Sequence, residues 1–219
     1  MSDTLLVMTC DYWIRRAVFA AAVFLLAAAP PVRADKRSID TARSTLTVFV
    51  YKSGLFSAFA DNHIIKAPIA SGSLSDAPSA GIELSIHAAD LTVMDPDLSR
   101  DKRNEVQTRM AGPEVLDVAR FPEITFASTT IAETAPARWA VTGRLTIHGQ
   151  TRVVTFQVRR LGDVYTGDVT INQRDFGIEP IRIAGGAVKV KDALKIAFEI
   201  TASNVKPPQA PPPGAPAGR

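Results

Sequence analysis

Hydrophobic and polar residues alternate along most of the chain between positions 44 and 201. A period of two places apolar side chains on one face of a β-strand and polar side chains on the other, whereas a helix would space them by three and four. The alternating segments are 44–51, 81–87, 123–131, 139–147, 151–159, 187–190 and 194–201. The pattern therefore predicts an all-β domain in which each strand buries one face.

Short turns separate consecutive strands. Gly162-Asp163 lies between two alternating segments, as do His148-Gly149-Gln150 and Lys191-Asp192-Ala193. Connections this short join antiparallel neighbours, because parallel strands need long crossovers. About eight antiparallel strands at regular spacing predict a sandwich or a closed barrel, and closure would remove the exposed edges of the sheet.

One segment departs from this alternation. Residues 97–111 are charged and rich in helix-forming types. Asp97 or Ser99 is suited to cap the start of a helix, and Gly112-Pro113 is suited to end it. We therefore predict one short helical excursion between two strands.

The N-terminal segment has the features of an export signal. Arg15 and Arg16 precede an uninterrupted apolar run of thirteen residues, 17–29. That length suits the hydrophobic region of a signal peptide and is shorter than a membrane-spanning helix. We expect cleavage after Ala34 and a location in the periplasm or outside the cell, with an uncleaved membrane anchor as the alternative.

The C-terminal segment has a different composition from the domain. Residues 206–219 contain six prolines, which lack the N–H that a sheet requires and favour an extended chain. The sequence thus predicts a signal peptide over 1–34, a folded domain over 35–205 and a disordered proline-rich tail over 206–219.

Cysteine content and charge exclude several classes of function. Cys10 is the only cysteine and lies within the predicted signal peptide, so the exported chain would have no thiol for catalysis, disulfides or metal binding. The formal net charge of +3 at pH 7 is small. Nucleic-acid binding, which usually shows a concentrated basic patch, is therefore not predicted.

Four segments of the chain form an ordered set of motifs. They are Ser53-Gly54-Leu55-Phe56-Ser57-Ala58-Phe59, Phe121-Pro122-Glu123-Ile124-Thr125-Phe126, Gly143-Arg144-Leu145-Thr146-Ile147-His148-Gly149-Gln150-Thr151 and Arg174-Asp175-Phe176-Gly177-Ile178. Each segment alone is a weak signal, but in order and spacing the set resembles the YceI-like family of exported lipid-binding proteins over roughly residues 37–202.

The resemblance implies a lipocalin-like, eight-stranded antiparallel barrel with a helix at one side. It also implies an elongated apolar cavity that takes a long-chain isoprenoid lipid, such as a polyisoprenoid or an isoprenoid quinone. The inward positions of the alternating strands are then the candidate ligand-binding residues. They are Leu46, Val48, Val50, Ile82, Leu84, Ile86, Phe126, Trp139, Val141, Leu145, Ile147 and Phe156.

Histidine is the remaining candidate for polar chemistry. His63 follows Asp61-Asn62 in the first loop and is the candidate for contact with the polar end of a lipid at the cavity mouth. Zinc normally needs three or four protein ligands, so His63 and Asp61 alone do not predict a metal site. No nucleophile with a neighbouring base is indicated either, and we predict no catalytic residue, metal or cofactor.

Three functions are compatible with this sequence. The first is non-catalytic binding or carrying of a long-chain lipid in the periplasm. The second is an enzyme or accessory factor in isoprenoid-quinone metabolism, with His63 or His148 inside the cavity. The third is an interaction or adhesion barrel with a filled core. The oligomeric state is open, a dimer included, as is transient contact with a membrane.

Overall fold

The computed structural model describes residues 36–53, 62–75, 80–183 and 188–203. An α-helix, α1 (Arg100–Ala111), and two short 3₁₀ helices (Ala88–Asp90 and Gln173–Phe176) accompany the strands. The strands are β1 (Lys36–Ser38), β2 (Thr45–Ser53), β3 (His63–Lys66), β4 (Ser71–Ser75), β5 (Gly81–His87), β6 (Thr92–Val93), β7 (Glu123–Ala135), β8 (Arg138–Ile147), β9 (Gln150–Leu161), β10 (Val164–Asn172), β11 (Arg182–Ile183) and β12 (Val188–Thr201). The predicted signal peptide and the predicted tail lie outside the described residues.

The strands form one antiparallel sheet that curls round on itself. Hydrogen-bonded neighbours follow the order β1-β4-β5-β7-β8-β9-β10-β12-β2-β3-β6, with β11 beside β12. Every pairing among the described strands is antiparallel. The run from β7 to β10 pairs each strand with the next one along the chain, as the short turns predict.

The strands near the two ends of this order are joined through the segment that contains β3 and β4. β3 pairs with β2, and β4, which follows β3 directly, pairs with β5. Between them, Ala67 N–H donates to the Leu46 carbonyl and Ala70 N–H donates to the Ser85 carbonyl, both at 2.9 Å. Residues 67–70, here named the seam, therefore link β2 to β5. With β3 and β4 counted as one interrupted strand, the predicted eight-stranded antiparallel barrel is confirmed.

Two of the three predicted turns are present. The β8–β9 turn has φ values of 50° at His148 and 70° at Gly149, and Gly162 in the β9–β10 turn has a φ of 63°. Positive φ of this kind is readily adopted by glycine and matches the twist of a tight hairpin. The third predicted turn is wrong, because Lys191-Asp192-Ala193 lies inside β12 as a bulge, where the register with β2 shifts between Val190 and Leu194.

The bulge is held by partners from another part of the chain. Gln173 Nε2 donates to the Lys191 carbonyl at 2.8 Å, and Arg174 N–H donates to Asp192 Oδ1 at 3.0 Å. These bonds satisfy polar groups that the sheet leaves unpaired at a bulge. The residues that look like a turn in the sequence are thus accommodated within one continuous strand.

The predicted helix forms, and its start is defined by one side chain. Ser99 Oγ accepts a hydrogen bond from Lys102 N–H at 3.4 Å, so Ser99 and not Asp97 is the cap. The helix ends at Gly112, whose N–H donates to the carbonyls of the last turn. This satisfies backbone groups that a helix leaves free at its ends.

The helix also completes the backbone hydrogen bonding of β6, the last strand in the sheet order. Gln107 Oε1 accepts from Val93 N–H at 2.8 Å, and Gln107 Nε2 donates to the Leu91 carbonyl at 2.7 Å. One side-chain amide thus supplies the donor and the acceptor that a neighbouring strand would supply. An otherwise open sheet edge is covered in this way.

Three phenylalanine rings cross the interior of the barrel. The ring centroid of Phe156 lies 5.5 Å from that of Phe126 and 5.5 Å from that of Phe198. Gly143 on β8 lies under the Phe126 ring, so that a Cβ atom added at Gly143 would overlap the ring edge. The absent side chain at Gly143 therefore makes room for Phe126 to lie flat against the wall.

Replacing Gly143 by Ala should destabilise the barrel, because the added methyl group overlaps Phe126. We expect the free energy of unfolding to fall by about 1–3 kcal/mol, the usual cost of overpacking a core, as measured by urea denaturation. Adding Phe126→Leu should make the loss smaller than the sum of the two single losses, because the shorter side chain frees the space. Strict additivity would show that the ring is not the obstacle.

Replacing Gln107 by Leu should also destabilise the fold, because Val93 N–H and the Leu91 carbonyl lose their partners in a buried setting. We expect a loss of about 1–3 kcal/mol in urea denaturation and faster hydrogen exchange at the Val93 amide. Asn104→Leu, at an exposed position of the same helix, is the matched control and should have little effect. Equal effects of the two variants would contradict the role of the Gln107 amide.

Candidate functional site

The barrel encloses a cavity of about 530 Å³. This volume lies within the range of about 300–1,000 Å³ that is usual for small-molecule sites. Isoleucine, leucine, valine and phenylalanine side chains from the inward faces of β2, β5, β7, β8, β9, β10 and β12 form most of its wall. The site is therefore a hollow inside the sheet, positioned by the alternation of each strand.

Ten of the twelve candidate residues line this cavity. They are Leu46, Val48, Val50, Ile82, Leu84, Ile86, Phe126, Leu145, Ile147 and Phe156. Their contact with a ligand stays a prediction. Their inward direction follows from the alternation of apolar and polar residues along each strand.

Trp139 and Val141 face inward on β8 but do not line the cavity. Val141 is 1% exposed and lies opposite Phe156 in the strand register, where neighbouring side chains surround it. Trp139 packs against the Tyr165 ring at a centroid distance of 6.2 Å, with the Arg160 guanidinium 5.9 Å from its own ring. Both residues fill the end of the barrel nearest the β7–β8 turn, so their ligand-binding role is not supported by their position.

The cavity opens at the opposite end of the barrel. Its exposed lining residues come from α1, from the end of β2 and from the start of β12. At the far end a small cluster of Ile39, Ile69, Leu74, Ile200 and Ala202 packs the interior closed. The cavity is therefore a deep pocket with one described opening, here named the open end.

Charged side chains surround the open end. Lys52, Lys102, Lys189 and Arg109 line it together with a single carboxylate, Glu105. Arg109 lies 3.9 Å from Glu105 and also contacts Glu114 at 4.0 Å, exposed pairs of the kind that contribute little stability. The lining thus changes from apolar inside to mainly basic at the rim.

His63 lies inside this rim and is paired with a buried acid. Its Nδ1 lies 2.6 Å from Asp95 Oδ2, and Asp95 Oδ1 accepts the Ile64 N–H at 2.6 Å. Asp95 is 3% exposed, whereas the His63 side chain is 23% exposed and lines the cavity. The structure therefore places His63, the predicted mouth residue, on the cavity wall. The contact with Asp95 fixes the orientation of its ring.

The other two histidines lie away from the cavity. His148 Nδ1 is 3.3 Å from the Phe176 carbonyl, and its ring packs edge-on to Phe121 at 4.5 Å. His87 is exposed on β5. Of the three histidines, only His63 contributes to the wall of the pocket.

Asp95 and several lining residues were not predicted from the sequence. Asp95 lies in a short loop after β6, and nothing in its local sequence points to His63. Val106 and Met110 on α1 reach the cavity from a helix whose apolar spacing is weak, and Val169 and Ile171 reach it from β10. The inward periodicity of β10 is the signal that could have identified the last two.

Within the described ranges, His, Cys, Asp and Glu form no group of three or more that could hold a metal ion. No helix in the described part of the chain is long and apolar enough to cross a membrane.

Part of the chain is similar in sequence to proteins of Pseudomonas. A UPF0312 protein of Pseudomonas putida strain W619 is 36% identical over a match that covers 34% of this chain and 44% of that protein. A UPF0312 protein of Pseudomonas fluorescens is similarly 36% identical with the same coverage. The match thus spans less than half the length of these relatives.

The solved structures and the family models give wider coverage. The crystal structure of Burkholderia cenocepacia BcnA has a TM-score of 0.60 and 20% sequence identity, over 75% of this chain and 99% of that one. That likeness shows the barrel fold. The family model described as the YceI-like domain matches residues 38–202, nearly all of the described domain. The chain therefore belongs to the YceI-like family.

Proposed function

We propose that this protein binds a long-chain isoprenoid lipid, a polyisoprenoid or an isoprenoid quinone, inside the barrel, and carries it in the periplasm without transforming it. The observation that carries the proposal is the apolar cavity that opens at one end of the barrel. A chain ligand would lie with its tail among the strands and its head at the basic rim.

The energetics of the cavity favour an apolar occupant. Side chains around a void lose the dispersion contacts that a filled core provides, and an occupant restores them. Each buried methylene contributes about 0.8 kcal/mol, so a long hydrocarbon chain gains affinity along its length without many polar contacts. The scarcity of polar groups along most of the wall matches this mode of binding.

The arrangement gives less support to the two alternatives. A filled interaction barrel would have inward side chains in mutual contact throughout, but ten of the candidate residues face a void instead. An enzyme would need converging polar groups, and His148 is turned away from the pocket. Among the described residues, the His63 ring hydrogen-bonds to Asp95, and no group of three or more potential metal ligands is present.

The periplasmic location belongs to the same proposal. It is supported by the sequence of residues 1–34, which combines Arg15 and Arg16 with a short apolar run and small residues before Asp35. The absence of cysteine beyond this segment is compatible with an oxidising compartment. A lipid that is insoluble in water would need such a carrier to cross an aqueous space.

Solvent extraction of the purified protein, followed by mass spectrometry, tests the proposal directly. We expect a long-chain isoprenoid in near-stoichiometric amount, because a buried tail dissociates slowly. The control is an unrelated exported β-barrel protein without a cavity, purified from the same host. Repeated recovery of no lipid, together with failure to take up an added prenyl lipid, would count against lipid binding.

Val48→Trp should block lipid uptake while the barrel stays folded. Val48 is on the inward row of β2 and lines the cavity, so an indole there fills space that the lipid tail needs. We expect a loss of affinity of at least about tenfold, equivalent to about 1.4 kcal/mol, in a fluorescent-lipid displacement assay.

The matched control for Val48→Trp is Val153→Trp, since Val153 is 69% exposed on β9 and does not line the cavity. That variant should bind like the wild type. Circular dichroism and thermal unfolding of both variants establish that each barrel is folded. Unchanged uptake by a folded Val48→Trp protein would show that the tail lies elsewhere.

A further inference from the structure

The buried carboxylate of Asp95 determines which nitrogen of His63 holds a proton. An ionised carboxylate only accepts hydrogen bonds. Its Oδ1 accepts the Ile64 N–H and its Oδ2 lies 2.6 Å from His63 Nδ1, so the Nδ1 atom is the donor. In a neutral imidazole the other nitrogen, Nε2, is then an acceptor with a free lone pair.

The Nε2 atom is available to a molecule in the cavity. Among the described residues, the hydrogen bond to Asp95 is the one that the His63 ring makes. The ring itself lines the cavity and is partly exposed. An acceptor on the wall of a largely apolar pocket favours a ligand that brings a donor, because the resulting hydrogen bond contributes to binding.

A second polar group lies at the neighbouring inward position. His63 pairs with Val50 in the register of β3 and β2, and Lys52 is the next inward residue along β2 after Val50. The Lys52 ammonium only donates hydrogen bonds. The wall therefore presents an acceptor at His63 and a donor at Lys52, which together match a hydroxyl group, since a hydroxyl donates and accepts.

We infer that the His63–Asp95 pair selects long-chain lipids whose head is a hydroxyl group over those whose head is an ether, an ester or a quinone carbonyl. This inference rests on the proposed function and refines it, since it names the head group that the cavity takes. The hydroxyl hydrogen is donated to His63 Nε2, and Lys52 donates to the hydroxyl oxygen. A head without a proton leaves Nε2 unpaired. Asp95 is a positioning residue, because it acts through the proton on Nδ1.

The test compares geranylgeraniol with geranylgeranyl methyl ether, in which a methyl group replaces the hydroxyl hydrogen. The purified protein is assayed at about pH 8.5. We expect the alcohol to bind roughly tenfold more tightly than the ether, as one lost hydrogen bond and one unpaired acceptor require. In His63→Phe the ring remains but both nitrogens are gone, so the two ligands should bind equally.

Asp95→Asn gives the sharpest prediction. The asparagine carbonyl accepts the Ile64 N–H, and its amide then donates to His63 Nδ1, which moves the imidazole proton to Nε2. The ring becomes a donor, so the preference for the alcohol over the ether should disappear or reverse. Nitrogen-15 NMR of the histidine ring reports the same switch without any ligand, with the proton on Nδ1 in the wild type and on Nε2 in the variant.

His87→Phe, at an exposed position on the outside of β5, is the control and should keep the full preference for the alcohol. Equal binding of both ligands by the wild type, or a wild-type proton on Nε2, would overturn the inference and leave lipid binding intact. Failure of both ligands to bind would instead overturn the proposed function. If Asp95→Asn does not fold, the His63→Phe comparison and the wild-type NMR spectrum still decide the question.

Discussion

The closure of the sheet into a barrel by backbone hydrogen bonds is the constraint on which the rest of this structure depends. Once eight strands close, the interior has a fixed width that suits either packed side chains or one ligand. The choice between the two is then made by side-chain volume. At one end Trp139 and Val141 fill the space, whereas the aliphatic residues nearer α1 line the cavity. A filled end and a hollow end in one barrel produce a pocket instead of a channel.

Much of the fold could be predicted from the sequence, because strand alternation and hairpin turns are local properties. Gly149 and Gly162 mark real turns, and Ser99 caps the helix. The predictions that failed concern features that depend on residues distant in the sequence. The segment Lys191-Asp192-Ala193 has the composition of a turn, but bonds from Gln173 and Arg174 hold it as a bulge within a strand. The chain between His63 and Ser75 shows no clear alternation of apolar and polar residues, because β3 pairs with β2 and β4 pairs with β5.

The candidate site was predictable to the same degree and for the same reason. Direction into the barrel follows from alternation, and ten inward residues do reach the cavity. Position along the barrel axis depends on strand register, which alternation does not reveal. Val141 and Leu145 share a face of β8, so the sequence pattern alone did not distinguish them. Asp95 was missed because its partner His63 lies far away in the sequence, and their pairing follows from the way β3 and β6 meet. A buried acid beside a cavity histidine is visible only in three dimensions.

The seam has a mechanical consequence for the barrel. Along residues 67–70 the wall is held to its neighbours by the amides of Ala67 and Ala70, and Pro68 between them has no N–H to contribute. Other parts of the wall are held by longer ladders, such as the one between β7 and β8. Sub-global opening is favoured where few hydrogen bonds must break. The seam is therefore a place along the side of the barrel where lateral opening breaks few backbone hydrogen bonds.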